Sequence, residues 1–231
     1  GEAEPGYTDG GTVVRLCLQG GNELMPESRD MDLALLDMAG PGSVVVVPLA
    51  STPGSDYAKT GTHAMSYFTE LGAEALLAPD ARKDAAAAAA AVDEAGYVVL
   101  TGGSPRTLRD ALVETGLGAR IRAAAGRGVL VMGSSAGAMV ACATTLLPQW
   151  RGNPNVGPGL GLIDGYVVVP HYDNRRTAWV RAGLSAAPAV LGIPENSGVL
   201  VEGDQLSALG QQPSVLITDG GGGCWVRTNV G

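Results

Sequence analysis

Gly128-Val129-Leu130-Val131-Met132-Gly133-Ser134-Ser135-Ala136-Gly137 decides the fold. Its first half is an unbroken apolar run, which reads as a strand covered on both faces, because a strand with one wet face alternates. Its second half is Gly-x-Ser-x-Gly, and a helix of mostly small residues is expected after it. Strand, tight bend and helix in that order form the setting of a nucleophile elbow. The bend needs small flanking residues, since side chains at the two glycine positions would collide. It holds Ser135 in a strained backbone conformation and lifts its Oγ into the open. The start of the helix leaves N–H groups without partners, that of Ala136 among them, and these can face an oxyanion.

Strand and helix signals alternate on both sides of this stretch. Before it, Thr12–Leu18, Ser43–Pro48, Ala73–Ala78 and Tyr97–Leu100 read as strands. Met31–Ala39, Ser55–Leu71, Thr107–Glu114 and Leu117–Ala125 read as helices. The Ala run from Ala85 to Ala91 is low in complexity, but Ala is the best helix former, so an ordered helix capped by Asp80 and ending at Gly96 is expected. After the elbow helix, Pro148–Gly161 reads as a loop, Tyr166–Val169 as a strand and Thr177–Leu184 as a helix. The short runs from Ala189 to Ile217 read as an antiparallel meander, and Gly220–Gly223 as the start of a loose tail. Repeated βα units imply right-handed crossovers. The expected fold is therefore α/β, a doubly wound, mostly parallel sheet flanked by helices with a C-terminal antiparallel meander. One domain over residues 1–231 is expected, with ligands beyond the carboxyl ends of the strands.

Composition agrees with this plan. Of 231 residues, 45% are apolar and only 16% charged, enough for a sizeable core without metals or disulfides. With 35 Gly and a single Phe, that core must be built from Val, Leu, Ala and Ile. The net charge of −8 repels polyanions, so neither nucleic acid nor an anionic membrane is expected as a partner. Cys17, Cys142 and Cys224 have no paired spacing, which suits a reducing compartment. The acidic start Gly1-Glu2-Ala3-Glu4 has no apolar region after it, and no apolar run approaches ~18 residues, so a cytoplasmic protein is expected.

A serine nucleophile needs a base, and the chain has two histidines. His171 follows Tyr166-Val-Val-Val-Pro170, just beyond a strand end, where ligands of such a sheet bind; His63, near a helix start, reads as a capping or packing residue. The base in turn needs an acid to fix its tautomer. Glu195, after the apolar run Val190–Ile193, and Asp173, two residues from His171, are both candidates, and an imidazole without a direct acid partner is a third arrangement. Chain order disfavours the common esterase fold, which runs Ser, acid, His; here the only His after Ser135 is His171, 36 positions on, and both candidate acids come after it. Gly102-Gly103 ends a strand and is either a second oxyanion donor or a plain turn. Arg175 and Arg176 stand close enough to His171 to hold a substrate carboxylate, or to begin a solvated helix. No cofactor is expected: no glycine-rich stretch ends in Gly-Lys-Ser/Thr, and Cys and His do not cluster as metal ligands.

These residues together resemble the serine peptidases of family S51, which include dipeptidase E and cyanophycinase. The resemblance runs from about Leu18 to Ile217 through Leu18-Gln-Gly-Gly-Asn-Glu23, Val47-Pro-Leu-Ala-Ser-Thr52, Leu100-Thr-Gly-Gly103, Gly133-Ser-Ser-Ala-Gly-Ala138, Pro170-His-Tyr172 and Gly192-Ile-Pro-Glu195. It implies a fold similar to the class I glutamine amidotransferases, whose elbow carries Cys where this chain has Ser135. It further implies Ser135 as nucleophile, His171 as base, Glu195 as the acid near the base, and Gly103 with Ala136 as oxyanion donors. Gly102, Ser104 and Arg175 are the positions expected to touch substrate. Two departures concern the substrate. Ser104-Pro105 stands where cyanophycinases carry Asp-Gln and dipeptidases tend to begin with Asn. The residue before His171 is Pro170 where cyanophycinases have Gln. The expected activity is hydrolysis of small peptides or isopeptides, Asp-containing ones included, through an acyl-serine, by a monomer or homodimer. A catalytically silent binding protein and an acyl-transfer tailoring enzyme are the alternatives.

Overall fold

Tyr97, Val98, Val99 and Leu100 are all buried, as are Val44 to Val47 and Leu130 to Ser134, and these three runs lie side by side at the centre of the computed structural model. The structure describes residues 12–220 and 223–227. In chain order the first half comprises β1 (Arg15–Gln19), α1 (Arg29–Met38), β2 (Val44–Val47), α2 (Ser55–Glu70), β3 (Ala75–Leu77), α3 (Ala85–Asp93), β4 (Tyr97–Leu100), α4 (Pro105–Glu114) and α5 (Leu117–Gly126). The elbow strand β5 (Leu130–Ser134) and its helix α6 (Ala136–Ala141) follow, then β6 (Thr144–Leu147), β7 (Asn155–Pro158), β8 (Tyr166–Pro170), α7 (Thr177–Ala186) and β9 (Ala189–Ile193). The chain ends with β10 (Ser197–Glu202), β11 (Gln205–Gly210), β12 (Val215–Thr218) and β13 (Gly223–Trp225).

The main sheet has the order β11-β10-β1-β5-β4-β2-β3, with β1 to β5 mutually parallel and the β10–β11 hairpin antiparallel along the β1 edge. Side chains alternate between its two faces. Leu16, Leu18, Val45, Val47, Val98, Leu100 and Val131 pack with residues of α3, α4, α5 and α6; Cys17, Val44, Val46, Val99 and Met132 pack with α1 and α2. Fully burying each Val or Leu of these strands contributes about 1.5–3 kcal/mol, which is why uninterrupted apolar runs were needed.

The C-terminal antiparallel strands are shared between two sheets rather than strung in one meander. β10 and β11 extend the main sheet, while β9 pairs parallel with β8 and antiparallel with β12 in a second sheet, β13-β12-β9-β8. The reason is burial: β9 is covered along all five residues and needs neighbours on both edges. The expected loop 148–161 contains β7, which pairs with β6. Gly223 opens β13 and is not part of a loose tail, whereas residues 221–222 and the acidic start at residues 1–4 lie outside the described residues. The cap of the Ala-rich helix is Asp84, whose carboxylate accepts the N–H of Ala87; Asp80 is held instead by Arg82. The backbone N–H, Nε and Nη2 of Arg82 all donate to the Asp80 carboxylate, and a carboxylate so engaged is not free to cap. No helix among the described residues is long and apolar enough to cross a membrane.

Candidate active site

The site forms where the carboxyl ends of β1, β4 and β5 meet the end of β8. Ser135 follows β5 with φ 52° and ψ −109°, a conformation that costs on the order of 1–3 kcal/mol for a residue with a side chain. The crowding that compels it is visible at the two glycines of the elbow. A Cβ on Gly133 would stand 2.4 Å from Gly137 O, and one on Gly137 would stand 2.3 Å from Leu100 O. The Ser135 N–H donates to Gln19 O (3.0 Å), which ties the bend to the end of β1.

The Oγ of Ser135 lies 2.9 Å from Nε2 of His171, and Nδ1 of the same ring lies 2.7 Å from Oε1 of Glu195. Strand register brings the imidazole and the carboxylate together. β8 and β9 run parallel with Pro170 opposite Ile193, so the residues just beyond, His171 and Pro194-Glu195, emerge side by side. The Tyr172 N–H donates to Ile193 O (3.1 Å), continuing the pairing past the strands. Glu195 lies where the chain crosses from β9 of the second sheet to β10 of the first. Asn196, with φ 54°, makes that crossing, its N–H donating to Gly21 O. His171 itself has φ 50°, and its N–H donates to Gly20 O (2.7 Å).

Of the two candidate acids, Glu195 is the one at the ring. Asp173 is engaged by Arg175, which holds its carboxyl below the usual carboxylate range through side-chain and backbone hydrogen bonds. The Glu195 side chain is 52% exposed and that of His171 34%, so the pair is open to solvent. In the tautomer with the proton on Nδ1, the bond to Glu195 leaves the Nε2 lone pair directed at the Ser135 hydroxyl. His63 lies in α2, with Nε2 3.1 Å from Leu24 O.

The remaining expected positions are distributed differently. Gly102 borders Ser135, since a Cβ placed on it would stand 3.3 Å from Ser135 Cβ. Its N–H, however, is taken by the Glu23 carboxylate. Gly103, with φ 143°, passes so close to Ala50 that a Cβ would stand 2.5 Å from Ala50 O. Ser104 is the N-cap of α4, its Oγ accepting the Thr107 N–H. Arg175 is 91% exposed and faces Asp173.

Residues 16–209 match the sequence model of peptidase family S51. The chain belongs to peptidase family S51. As a member of that family it is a serine-type peptidase. No curated protein is significantly similar in sequence. Among solved structures, a peptidase from an acI-B1 Actinobacterium superposes with a TM-score of 0.78 at 22% identity, covering 95% of this chain and 96% of that one. A protein assigned as Peptidase E from Listeria monocytogenes EGD-e gives 0.62 at 16% identity, covering 87% and 100%. At these identities the two structures speak for the fold alone. Within this S51 chain, sequence reasoning gave no chemical role to Glu23, Gly20 or Gly21, all of which border the site. A carboxylate two positions after a Gly-Gly pair, at the carboxyl end of a parallel strand, was the available signal. Among the described residues no group of His, Cys, Asp and Glu is arranged to hold a metal ion.

Proposed function

We propose that this S51 peptidase cleaves small peptides or isopeptides, Asp-containing ones included, through an acyl-enzyme on Ser135. The observation that carries the reading is the unbroken chain of hydrogen-bond distances from Ser135 Oγ through the His171 ring to Glu195. Ser135 Oγ attacks the scissile carbonyl carbon as His171 Nε2 takes its proton. Glu195, on Nδ1, keeps the ring in the accepting tautomer and stabilises the imidazolium that forms. The N–H groups of Gly103 and Ala136 receive the developing oxyanion. Collapse of the tetrahedral intermediate breaks the C–N bond, with Nε2–H giving its proton to the departing amine. Water then attacks the ester with His171 again as base, and the acid product leaves with Ser135 restored.

Arg175, exposed at the rim, is the group proposed to read a substrate carboxylate by exchanging its bonds to Asp173 for bonds to substrate. Three unpaired cysteines, two of them buried, support a reducing compartment such as the cytoplasm. The test is a panel of dipeptides and isopeptides with Asp at either position, together with a fluorophosphonate probe, on wild type and Ser135→Ala. Labelling and turnover that both vanish in the variant, with an unchanged fold, are expected. Turnover that survives, or a wild-type serine that no probe labels, overturns the reading.

A further inference from the structure

Among the described residues, Glu23 is the carboxylate that reaches into the elbow from the β1 side. Its Oε1 accepts the N–H of Gly102 at 2.5 Å, and its Oε2 accepts the hydroxyl of Ser134 at 3.0 Å. Gly102 precedes the oxyanion donor proposed above, and Ser134, fully buried, precedes the nucleophile. The carboxylate therefore bridges the two segments that must be aligned for an oxyanion to form between them.

The need for a bridge follows from composition. Gly102-Gly103 has the widest backbone freedom of any dipeptide, so nothing intrinsic fixes where the Gly103 N–H points. Two anchors bracket it. On one side the Gly102 N–H is held by Glu23; on the other the Ser104 N–H donates to Ala50 O at 3.0 Å. Space is equally constrained, since a Cβ on Gly102 would stand 2.6 Å from Glu23 Oε1.

We infer that Glu23 is a positioning residue of this peptidase: through its hydrogen bonds to Gly102 and Ser134 it sets the Gly103 N–H against Ser135. The inference rests on Ser135 being the nucleophile. Its function lies in the two hydrogen bonds and their reach, not in the charge, because a negative charge beside the oxyanion pocket opposes the charge that develops there. This separates three variants. In Glu23→Gln the remaining carbonyl oxygen accepts from Gly102, while the amide nitrogen donates to Ser134, whose hydroxyl accepts as readily as it donates. Glu23→Asp keeps the charge but falls one methylene short, and Glu23→Ala removes both bonds.

The experiment measures the second-order rate of fluorophosphonate labelling of Ser135 in the full chain, with Ser135→Ala as blank, alongside hydrogen exchange of the Gly102 amide. Glu23→Gln is expected within about threefold of wild type, and Glu23→Asp and Glu23→Ala slower by roughly ten- to a hundredfold, the range for a misplaced catalytic geometry. The Gly102 amide is expected to stay protected in wild type and Glu23→Gln and to exchange faster in the other two. A defect as large in Glu23→Gln as in Glu23→Ala, or unchanged labelling in Glu23→Ala, overturns the inference. If the wild type itself is not labelled, the proposed function fails, and the exchange data then decide the inference alone. Unaltered Gly102 protection in Glu23→Ala sinks it.

Discussion

The ring of His171 rests on the backbone of Gly21, so closely that a Cβ at Gly21 would stand 2.2 Å from His171 Cε1. Gly21 also has φ 121°, which L side chains rarely adopt, so two independent constraints meet at one residue. Gly21→Ala must therefore push the imidazole away from Ser135. A fall of about 10²-fold in fluorophosphonate labelling is expected, the size associated with a displacement near 1 Å. Gly40→Ala is the control: nothing lies within 4 Å of its added Cβ and its φ is not positive, so labelling should not change. Equal labelling of the two variants would show that His171 is not seated on Gly21 in solution.

The two carboxylates near His171 should behave oppositely. Glu195→Gln can no longer accept Nδ1–H as a carboxylate, and a triad that loses its acid loses up to about 10⁴-fold in turnover. Because Glu195 is half exposed, a loss nearer 10²-fold is expected here, since solvent shares the stabilisation of the imidazolium. Asp173→Asn should leave turnover of uncharged substrates within about threefold, since that carboxylate contacts Arg175 and not the ring. Steady-state kinetics of both variants on one substrate decides the matter, and a larger defect in Asp173→Asn would reverse the assignment.

The parallel core and the elbow were legible because both depend on local sequence. Four apolar residues in a row leave a strand no wet face, and small residues at 133, 136 and 137 leave room for a sharp bend. The meeting of Ser135 with His171 and Glu195 was legible only as a choice among few candidates, because it depends on β8 and β9 being in register, which neither strand specifies alone. What stayed hidden has the same character. Glu23 is one carboxylate among many until Gly102 and Ser134 are brought to it. Asn196 takes its positive φ where the chain crosses between sheets, and His171 takes its own just past β8; no glycine marks either place. The choice of Asp84 over Asp80 as cap was decided by Arg82, a competitor for Asp80 that a cap-and-run reading does not weigh.

That competition is open to measurement. Asp84→Ala removes the bond to the Ala87 N–H and should cost about 1 kcal/mol, or roughly 2–4 °C in Tm for a chain of this size. Asp80→Ala strands Arg82, whose guanidinium is mostly covered, and should cost at least as much while leaving the helix cap intact. Far-ultraviolet circular dichroism melts of both variants test this; a fully neutral Asp84→Ala would show that the first turn of α3 is held by packing alone.

Asp32 makes the last case, and its sign can be worked out in advance. The residue is buried in α1, accepting from Gln19 Nε2 (2.8 Å) and from the Tyr67 hydroxyl (2.6 Å). Burial lifts its carboxyl above the ordinary 3.8; the hydrogen bonds from Tyr67 and Gln19 only partly offset this, and the Glu23 charge adds to the rise. The folded chain thus holds the Asp32 proton more tightly than the unfolded chain does. The stability this contributes is fully present below the unfolded pKa of about 3.9 and is lost as pH rises through the higher folded value. Asp32→Asn cannot titrate, so it escapes that loss, although it gives up the bonds an ionised carboxylate makes. The difference in unfolding free energy, variant minus wild type, should therefore move in the variant's favour as pH is raised from about 4 and then level off above the folded pKa. Urea titrations at a series of pH values read this directly. A difference independent of pH would mean that Asp32 binds its proton equally well in both states, and that the buried carboxylate is better solvated than its surroundings indicate.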